Sequence, residues 1–187
     1  IFAVSKDELE PALSGVLLQI KNNSILSVST DGHRLVKYVK SGLDININTD
    51  VIIPKKFLSL ISSNISQTEK VNLFISENQI MVEVGNDVFY SRIIDERFPD
   101  FESVIPKDNN KELIINRLEI LSTVKRVSVL SNKTTKQISL NLSKDSIKIT
   151  TEDAEKSSKG FENIYGSFIG EDLTIGYNAG YLKDILS

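Results

Sequence analysis

Short runs of β-branched and apolar residues, separated by polar turn residues, recur along the chain. Glu77-Asn78 and Gly85-Asn86-Asp87 separate three such runs in the first half, and Lys144-Asp145 separates two more in the second half. Runs of this length, with turn residues between them, are typical of antiparallel strands. The pattern therefore predicts hairpin-linked strands over residues 71–76, 79–84, 88–94, 137–142 and 146–151.

Two other segments place apolar residues at helical spacing. One follows Pro54, a residue suited to the first turn of a helix, and the other spans residues 116–132. Their apolar positions are Phe57, Leu58, Leu60 and Ile61 in the first, and Ile120, Val124 and Val127, flanked by Leu121 and Leu130, in the second. Because each half of the chain combines such helices with antiparallel strands, the predicted fold class is α+β.

The chain contains an internal repeat of weak identity but conserved element order. Residues 14–20 correspond to 136–142, 23–31 to 145–153, and 52–61 to 176–185, at offsets of 122, 122 and 124 residues. A period this long indicates two duplicated domains, since solenoid repeats are much shorter. The polar, proline-containing stretch 97–110 connects them, which predicts domains at 1–110 and 111–187. By the repeat, the first domain is expected to lack its start and the second its end.

Composition narrows the chemistry. The 187 residues include no cysteine and one histidine, which excludes disulfides, thiolate catalysis, cysteine-bound metals and a multi-histidine metal site. The net charge of −3 argues against a simple nucleic-acid coat protein but allows a basic face on an acidic chain. No cofactor is expected, and the lack of cysteine fits a cytosolic protein.

The segment from Thr30 to Leu35 is the most distinctive local motif. Asp31-Gly32 is a turn signal in its own right, so one interpretation is a tight turn with a solvated His33 and Arg34. A catalytic interpretation needs His33 as a general base with a carboxylate such as Asp31, but no nucleophile lies at a recognisable spacing. A metal-dependent hydrolase would add the acidic cluster at 152–155. The repeat instead predicts that Asp31 and Asp153 occupy equivalent places in different domains.

Positive charge concentrates in the second predicted helix and at the start of the first. Lys125, Arg126 and Lys133 are expected to project opposite the apolar face, and Lys55-Lys56 follow Pro54 at a helix N-terminus. Such charge favours phosphate contact, although a solvated helix face gives the same pattern. No aromatic residues interleave with the basic ones, which argues against base stacking.

Taken together, several motifs give the whole chain a resemblance to a known family. In chain order they are PALSGV (11–16), STDGHRL (29–35), IDERFPDF (94–101), VIPK (104–107), RVSVLSN (126–132), IGYN (175–178) and YL (181–182). In this order and spacing the set resembles the bacterial DNA polymerase III beta subunit. The resemblance implies tandem clamp domains, each of antiparallel sheets with two helices on the inner face, here most of the second domain and part of the third.

The same resemblance implies a function without catalysis. Members of the family are homodimeric rings that encircle duplex DNA independently of sequence and hold the replicative polymerase on it. The implied partners are duplex DNA, the polymerase catalytic subunit, the clamp loader and other proteins with a clamp-binding peptide motif, in the bacterial cytoplasm. The alternative is an α+β peptide-binding module that does not encircle DNA.

Two sets of residues carry these implications. The positions that match the family's peptide pocket are Leu13, Thr30, Gly32, His33, Arg34, Leu35, Pro99, Val104, Asn178 and Tyr181. The positions expected to face DNA are Lys55, Lys56, Lys125, Arg126 and Lys133.

Overall fold

A computed structural model describes residues 1–7, 9–66 and 70–187. The chain divides into two compact units, Ile1–Val104 and Ile105–Ser187, and the division falls inside the predicted connector. Both units combine antiparallel sheets with helices, so the predicted α+β class is confirmed. None of the helices in the described ranges is long and apolar enough to cross a lipid bilayer.

Within residues 1–7, 9–66 and 70–104, the first unit contains two antiparallel sheets and one α-helix. A short 3-10 helix, Pro11–Ser14, leads into a four-stranded sheet of order β3-β2-β1-β4, and a three-stranded sheet of order β5-β6-β7 follows. The elements are β1 Gly15–Lys21, β2 Ser24–Thr30, β3 Leu35–Ser41, β4 Thr49–Pro54, α1 Lys55–Asn64, β5 Asn72–Ile75, β6 Gln79–Val84 and β7 Asp87–Arg92.

Alternation of apolar residues builds the core of the first unit. Ile80, Val82 and Val84 point to one face of β6, as a period of two requires, and Phe57 of α1 packs against them. Val51 and Ile53 of β4 complete the cluster. The core therefore joins both sheets to the helix.

The second unit repeats the first sheet. Its four-stranded sheet has the order β11-β10-β9-β13, which reproduces β3-β2-β1-β4, and a separate two-stranded sheet pairs β12 with β8. The elements are β8 Glu112–Ile114, α2 Arg117–Val127, a 3-10 helix Ser128–Leu130, β9 Gln137–Ser143, β10 Ser146–Asp153, β11 Ser158–Ile164, β12 Ser167–Ile169, β13 Leu173–Asn178 and α3 Ala179–Leu186. The tandem-domain prediction is confirmed by this shared topology.

The apolar face of α2 is buried against this sheet. Ile120, Val124 and Val127 belong to one cluster with Ile147 and Ile149 of β10, and these side chains are 5% exposed or less. Burial of such side chains removes apolar surface from water, at roughly 25 cal/mol per Å². The predicted apolar stripe is thus the packing face of the helix.

The end of α2 differs from the prediction. The α-helix stops at Val127 and tightens into a 3-10 turn, so Lys133 lies in the following turn and not on the helix. Asn132 holds this following turn, because its side-chain oxygen accepts hydrogen bonds from the backbone N–H groups of Thr134 and Thr135 at 2.9 and 3.1 Å. Such local side-chain bonds compete with helix continuation. The expectation that Lys133 extends the basic helix face is therefore wrong.

Gly15 permits the close pairing of β1 with β4, which gives a test of this packing. A Cβ there would lie 2.6 Å from Cγ2 of Ile52 and 2.7 Å from the carbonyl oxygen of Ile53. Since backbone cannot yield without disturbing the pairing, Gly15→Ala is expected to lower the free energy of unfolding by about 2 kcal/mol. Gly176→Ala is the control, because its Cβ would meet Gln137 at an ordinary 3.7 Å. Equal urea midpoints for the two variants would contradict the packing argument.

Candidate functional site

The turn between β2 and β3 is held by side chains on both of its arms. Gly32 adopts a φ of 80°, a conformation that favours glycine. The Thr30 hydroxyl accepts a hydrogen bond from the Gly32 N–H at 3.2 Å and donates one to the Arg34 carbonyl at 2.8 Å. The predicted tight turn at Asp31-Gly32 is therefore present, and it is pinned across its base.

Asp31 braces the same turn from inside. Its Oδ1 accepts hydrogen bonds from the backbone N–H groups of His33 and Arg34, each at 3.1 Å. Its Oδ2 accepts one from Arg34 Nε at 3.0 Å, and the two side chains are only 15% and 13% exposed. Charge-assisted bonds of this kind are stronger than neutral ones. The carboxylate is thus engaged by the turn's own donors.

Arg34 ties the turn to the first residues of the chain. Its Nη2 donates a hydrogen bond to the Phe2 carbonyl at 2.8 Å, and its guanidinium carbon lies 5.6 Å from the centre of the Phe2 ring. A cation at this distance from an aromatic face is attracted to it. Sequence reasoning did not identify Phe2, which is 32 residues away in the chain.

The apolar pocket candidates of the first unit differ in accessibility. Leu13, in the 3-10 helix, is 7% exposed, whereas Leu35 at the start of β3 is half-buried. Pro99 is exposed and Val104 is 67% exposed. Leu35, Pro99 and Val104 therefore retain surface that a bound side chain could cover, and Leu13 offers little.

Pro99 also lines a cavity that the sequence did not reveal. The segment from Ile93 to Phe101 borders a space of about 560 Å³ with residues of β1 and β4, including Leu17 and Ile52. The internal repeat did not predict this cavity, because the cavity forms where the loop at residues 93–101 runs over the sheet.

Asn178 and Tyr181 lie in the second unit, at the start of α3. Asn178 caps this helix, since its Oδ1 accepts a hydrogen bond from the Gly180 N–H at 2.8 Å. Its Nδ2 donates to the Thr135 carbonyl at 3.2 Å, and the Ala179 N–H donates to the Lys136 carbonyl at 2.9 Å. The turn before β9 is therefore fastened to α3 beside the half-buried Tyr181.

The acidic cluster at residues 152–155 belongs to the second unit. Asp153 is 2% exposed and ends β10, as Asp31 follows β2, so the two occupy equivalent places in different units as the repeat predicts. Its Oδ1 accepts hydrogen bonds from Asn132 Nδ2 at 3.3 Å and from the Glu155 N–H at 3.2 Å. Within residues 1–7, 9–66 and 70–187, no group of three or more His, Cys, Asp or Glu side chains is placed to hold a metal ion.

The basic candidates occupy three different settings. Lys55 and Lys56 are the first residues of α1, and Lys125 and Arg126 are exposed in the last turn of α2. Lys133 is exposed in the turn before β9. Arg126 is paired: its Nε donates to Glu162 Oε2 at 3.0 Å and its Nη2 donates to Glu162 Oε1.

This pair affects the ionisation of both groups. The hydrogen bond to Glu162 raises the pKa of the Arg126 guanidinium. The hydrogen bond from Arg126, helped by one from the Thr123 hydroxyl, lowers the pKa of the Glu162 carboxyl. Both groups therefore stay charged at neutral pH. Arg126 is exposed on α2, opposite the buried apolar face, and its pairing with Glu162 is a contact that the sequence pattern did not predict.

Comparison with known proteins identifies the origin of both units. The family model of the DNA polymerase III beta subunit, central domain, matches residues 1–100, and that of the C-terminal domain matches residues 102–187. The beta sliding clamp of Chlamydia muridarum is 32% identical over 186 residues, covering 99% of this chain and 50% of that protein. That of Bacillus subtilis is 33% identical over 192 residues, covering 100% and 50%.

Solved structures agree with the sequence comparison. The DNA polymerase sliding clamp of Bacillus subtilis matches with a TM-score of 0.93 at 32% identity, over 99% of this chain and 50% of that one. A Pseudomonas aeruginosa sliding clamp solved with bound griselimycin matches with a TM-score of 0.92 at 30% identity, over 99% and 50%. The chain thus spans about half the length of the relatives it matches. Since the two family models together cover nearly every residue, the chain belongs to the DNA polymerase III beta subunit family.

Proposed function

We propose that this chain is part of a sliding clamp, a processivity factor that encircles duplex DNA and holds the replicative polymerase on it. Residues 1–110 would supply the central domain and 111–187 the C-terminal domain. Tethering raises the effective concentration of the polymerase at the primer end without any new chemistry. In this role the chain is a non-catalytic subunit of the polymerase assembly, in the bacterial cytoplasm.

The braced turn at residues 30–35 is the observation that supports the peptide-binding part of this role most strongly. Asp31 and Thr30 fix its backbone, so a partner would not have to order the loop on binding. Pre-organisation of this kind strengthens binding by reducing its entropic cost. The half-buried Leu35 would then cover an apolar side chain of the partner, and the exposed His33 would contribute polar contacts.

The DNA-binding part rests on Lys55, Lys56, Lys125, Arg126 and Lys133. A clamp that slides needs many weak phosphate contacts and no base readout. Lysines on helices meet that need, since an exposed ammonium contacts phosphate as a point charge. Lys133 would reach DNA from a turn, and Arg126 would contact phosphate through donors that it also offers to Glu162.

The partners proposed for the intact protein are those of a replication clamp. They comprise a second copy of the protein in a ring, duplex DNA, the catalytic subunit of the replicative polymerase, the clamp loader, and other proteins that carry a clamp-binding peptide motif. Asn178 and Tyr181 of the second unit are proposed as further contacts for such a peptide motif.

Peptide binding tests the proposal directly. A fluorescent peptide that carries a clamp-binding motif should show saturable anisotropy with the chain, and Leu35→Ala should weaken binding about tenfold, because the loss of buried apolar contact is worth about 1.4 kcal/mol. His33→Ala should weaken it by about threefold to tenfold.

Val39→Ala is the matched control for Leu35→Ala. Val39 lies on the same strand, β3, and is 51% exposed. The Val39→Ala substitution should leave the dissociation constant for the peptide unchanged. A chain that binds no peptide, or one that Leu35→Ala and Val39→Ala weaken equally, would refute the pocket assignment.

A further inference from the structure

Glu162 is a carboxylate directed at the basic end of α2. In the pairing of β10 with β11 it lies opposite Ile149, which is fully buried under the helix. Side chains opposite each other share one face of a sheet, so Glu162 belongs to the helix-facing side. The next residue towards the N-terminus, Phe161, lies on the other side, where Lys148 Nζ is 4.4 Å from its ring centre.

Three hydrogen bonds hold this carboxylate. Arg126 donates two of them in a forked arrangement, and the buried hydroxyl of Thr123 donates the third to Oε1 at 3.1 Å. Arg126 also donates to the Thr123 hydroxyl at 3.0 Å. A forked arginine–carboxylate pair has the same geometry as an arginine–phosphate pair. Glu162 therefore occupies the donors that a phosphate would use.

The neighbouring cation is in a different situation. Lys125 is exposed in the same helical turn, and no carboxylate in the described part of the chain lies within ion-pair distance of it. Of two adjacent basic residues, one is therefore available to an anion and the other is already neutralised. This contrast arises from a single residue on a strand, and not from the composition of the helix.

We infer that Glu162 competes with DNA phosphate for Arg126 and thereby weakens the grip of this helix on the duplex. This inference rests on the proposed function, since it assumes that the end of α2 meets DNA. A clamp must hold DNA and still slide along it. When Glu162 pairs with Arg126, fewer phosphates are neutralised by the protein, so fewer counterions are released and binding is weaker. Glu162 affects DNA binding through its pairing with Arg126.

Glu162→Gln tests the inference. The amide keeps the size of the side chain and one acceptor for Arg126 or Thr123, but it removes the negative charge. Binding of a fluorescein-labelled duplex would be measured by anisotropy between 20 and 200 mM NaCl, roughly the range in which phosphate contacts dominate. The expected result is about a tenfold gain in affinity at the lowest salt, and a steeper dependence of log K on log salt by about one unit.

Glu152→Gln is the matched control. Glu152 lies on β10 in the same unit, and its only described ion pair is an exposed one with Lys159 at 3.6 Å. The substitution makes the same change in net charge, so it isolates the local effect at Arg126. Glu162→Gln in an Arg126→Ala background should leave the salt slope unchanged.

The outcomes distinguish a failure of the role inferred for Glu162 from a failure of the proposed DNA contact. Duplex binding by the unmodified chain, with equal slopes for Glu162→Gln and Glu152→Gln, would overturn the role of Glu162 and leave the clamp proposal intact. A steeper slope for Glu162→Gln alone supports it. Absence of duplex binding by every variant at the lowest salt would overturn the DNA contact at α2 and Glu162's role together, while peptide binding would still report on the pocket.

Discussion

Ile149→Ala is expected to cost about 3–4 kcal/mol in the free energy of unfolding of the second unit. Ile149 lies in the middle of β10 with no exposed surface, between neighbouring strands and beneath α2. Truncation removes three carbons from a packed site and leaves a cavity. The surrounding side chains, Ile120, Val124 and Leu140 among them, belong to both a helix and a sheet and cannot all move inward to fill it.

Urea unfolding followed by circular dichroism measures this effect, with Ile169→Ala as the matched control. Ile169 lies in β12 of the same unit and is 55% exposed, so its loss should cost less than about 1 kcal/mol. The Ile149 variant should reach its midpoint more than about 1 M earlier in urea. Similar midpoints for the two variants would show that the α2–sheet core does not limit stability.

Periodicity revealed the elements that build this core. Ile120, Val124 and Val127 could be assigned to one helix face because a helix that packs on a sheet needs apolar residues every three or four positions. The strands were recognisable for the same reason, since their composition reflects burial. Periodicity could not reveal the ion pair between Arg126 and Glu162. Glu162 is 36 residues away in the chain and is brought close by the β10–β11 pairing.

The turn at residues 30–35 also combines contacts between neighbours in the sequence, which could be predicted, with a contact between distant residues, which could not. Asp31-Gly32 predicted a tight turn from local chemistry alone, and the hydrogen bonds of Thr30 and Asp31 are local as well. The link from Arg34 to Phe2 could not be foreseen, because it spans 32 residues with no periodic signal. Lys133 was misplaced for a local reason that the apolar pattern conceals: Asn132 closes a turn of its own.

Asp31→Ala is expected to have the largest effect on partner-peptide binding, about 100-fold. The substitution removes the acceptor for two backbone N–H groups and the charge partner of Arg34. Each bond is worth about 1 kcal/mol, and the turn would have to be ordered at the expense of binding free energy. A loss of about 2.7 kcal/mol in binding free energy corresponds to a dissociation constant about 100-fold larger.

Asp31→Asn divides this effect into its two causes. The amide keeps Oδ1 as an acceptor for the backbone of His33 and Arg34, but it presents an N–H₂ group to the Arg34 guanidinium where the carboxylate accepted a bond. Binding about tenfold weaker than that of the unmodified chain is therefore expected, between the native residue and Ala. Circular dichroism of each variant checks that the sheet remains folded. If Asp31→Ala binds the peptide as tightly as the native chain, the turn is not the pre-organised wall of the pocket, and the contacts of Leu35 must carry recognition without it.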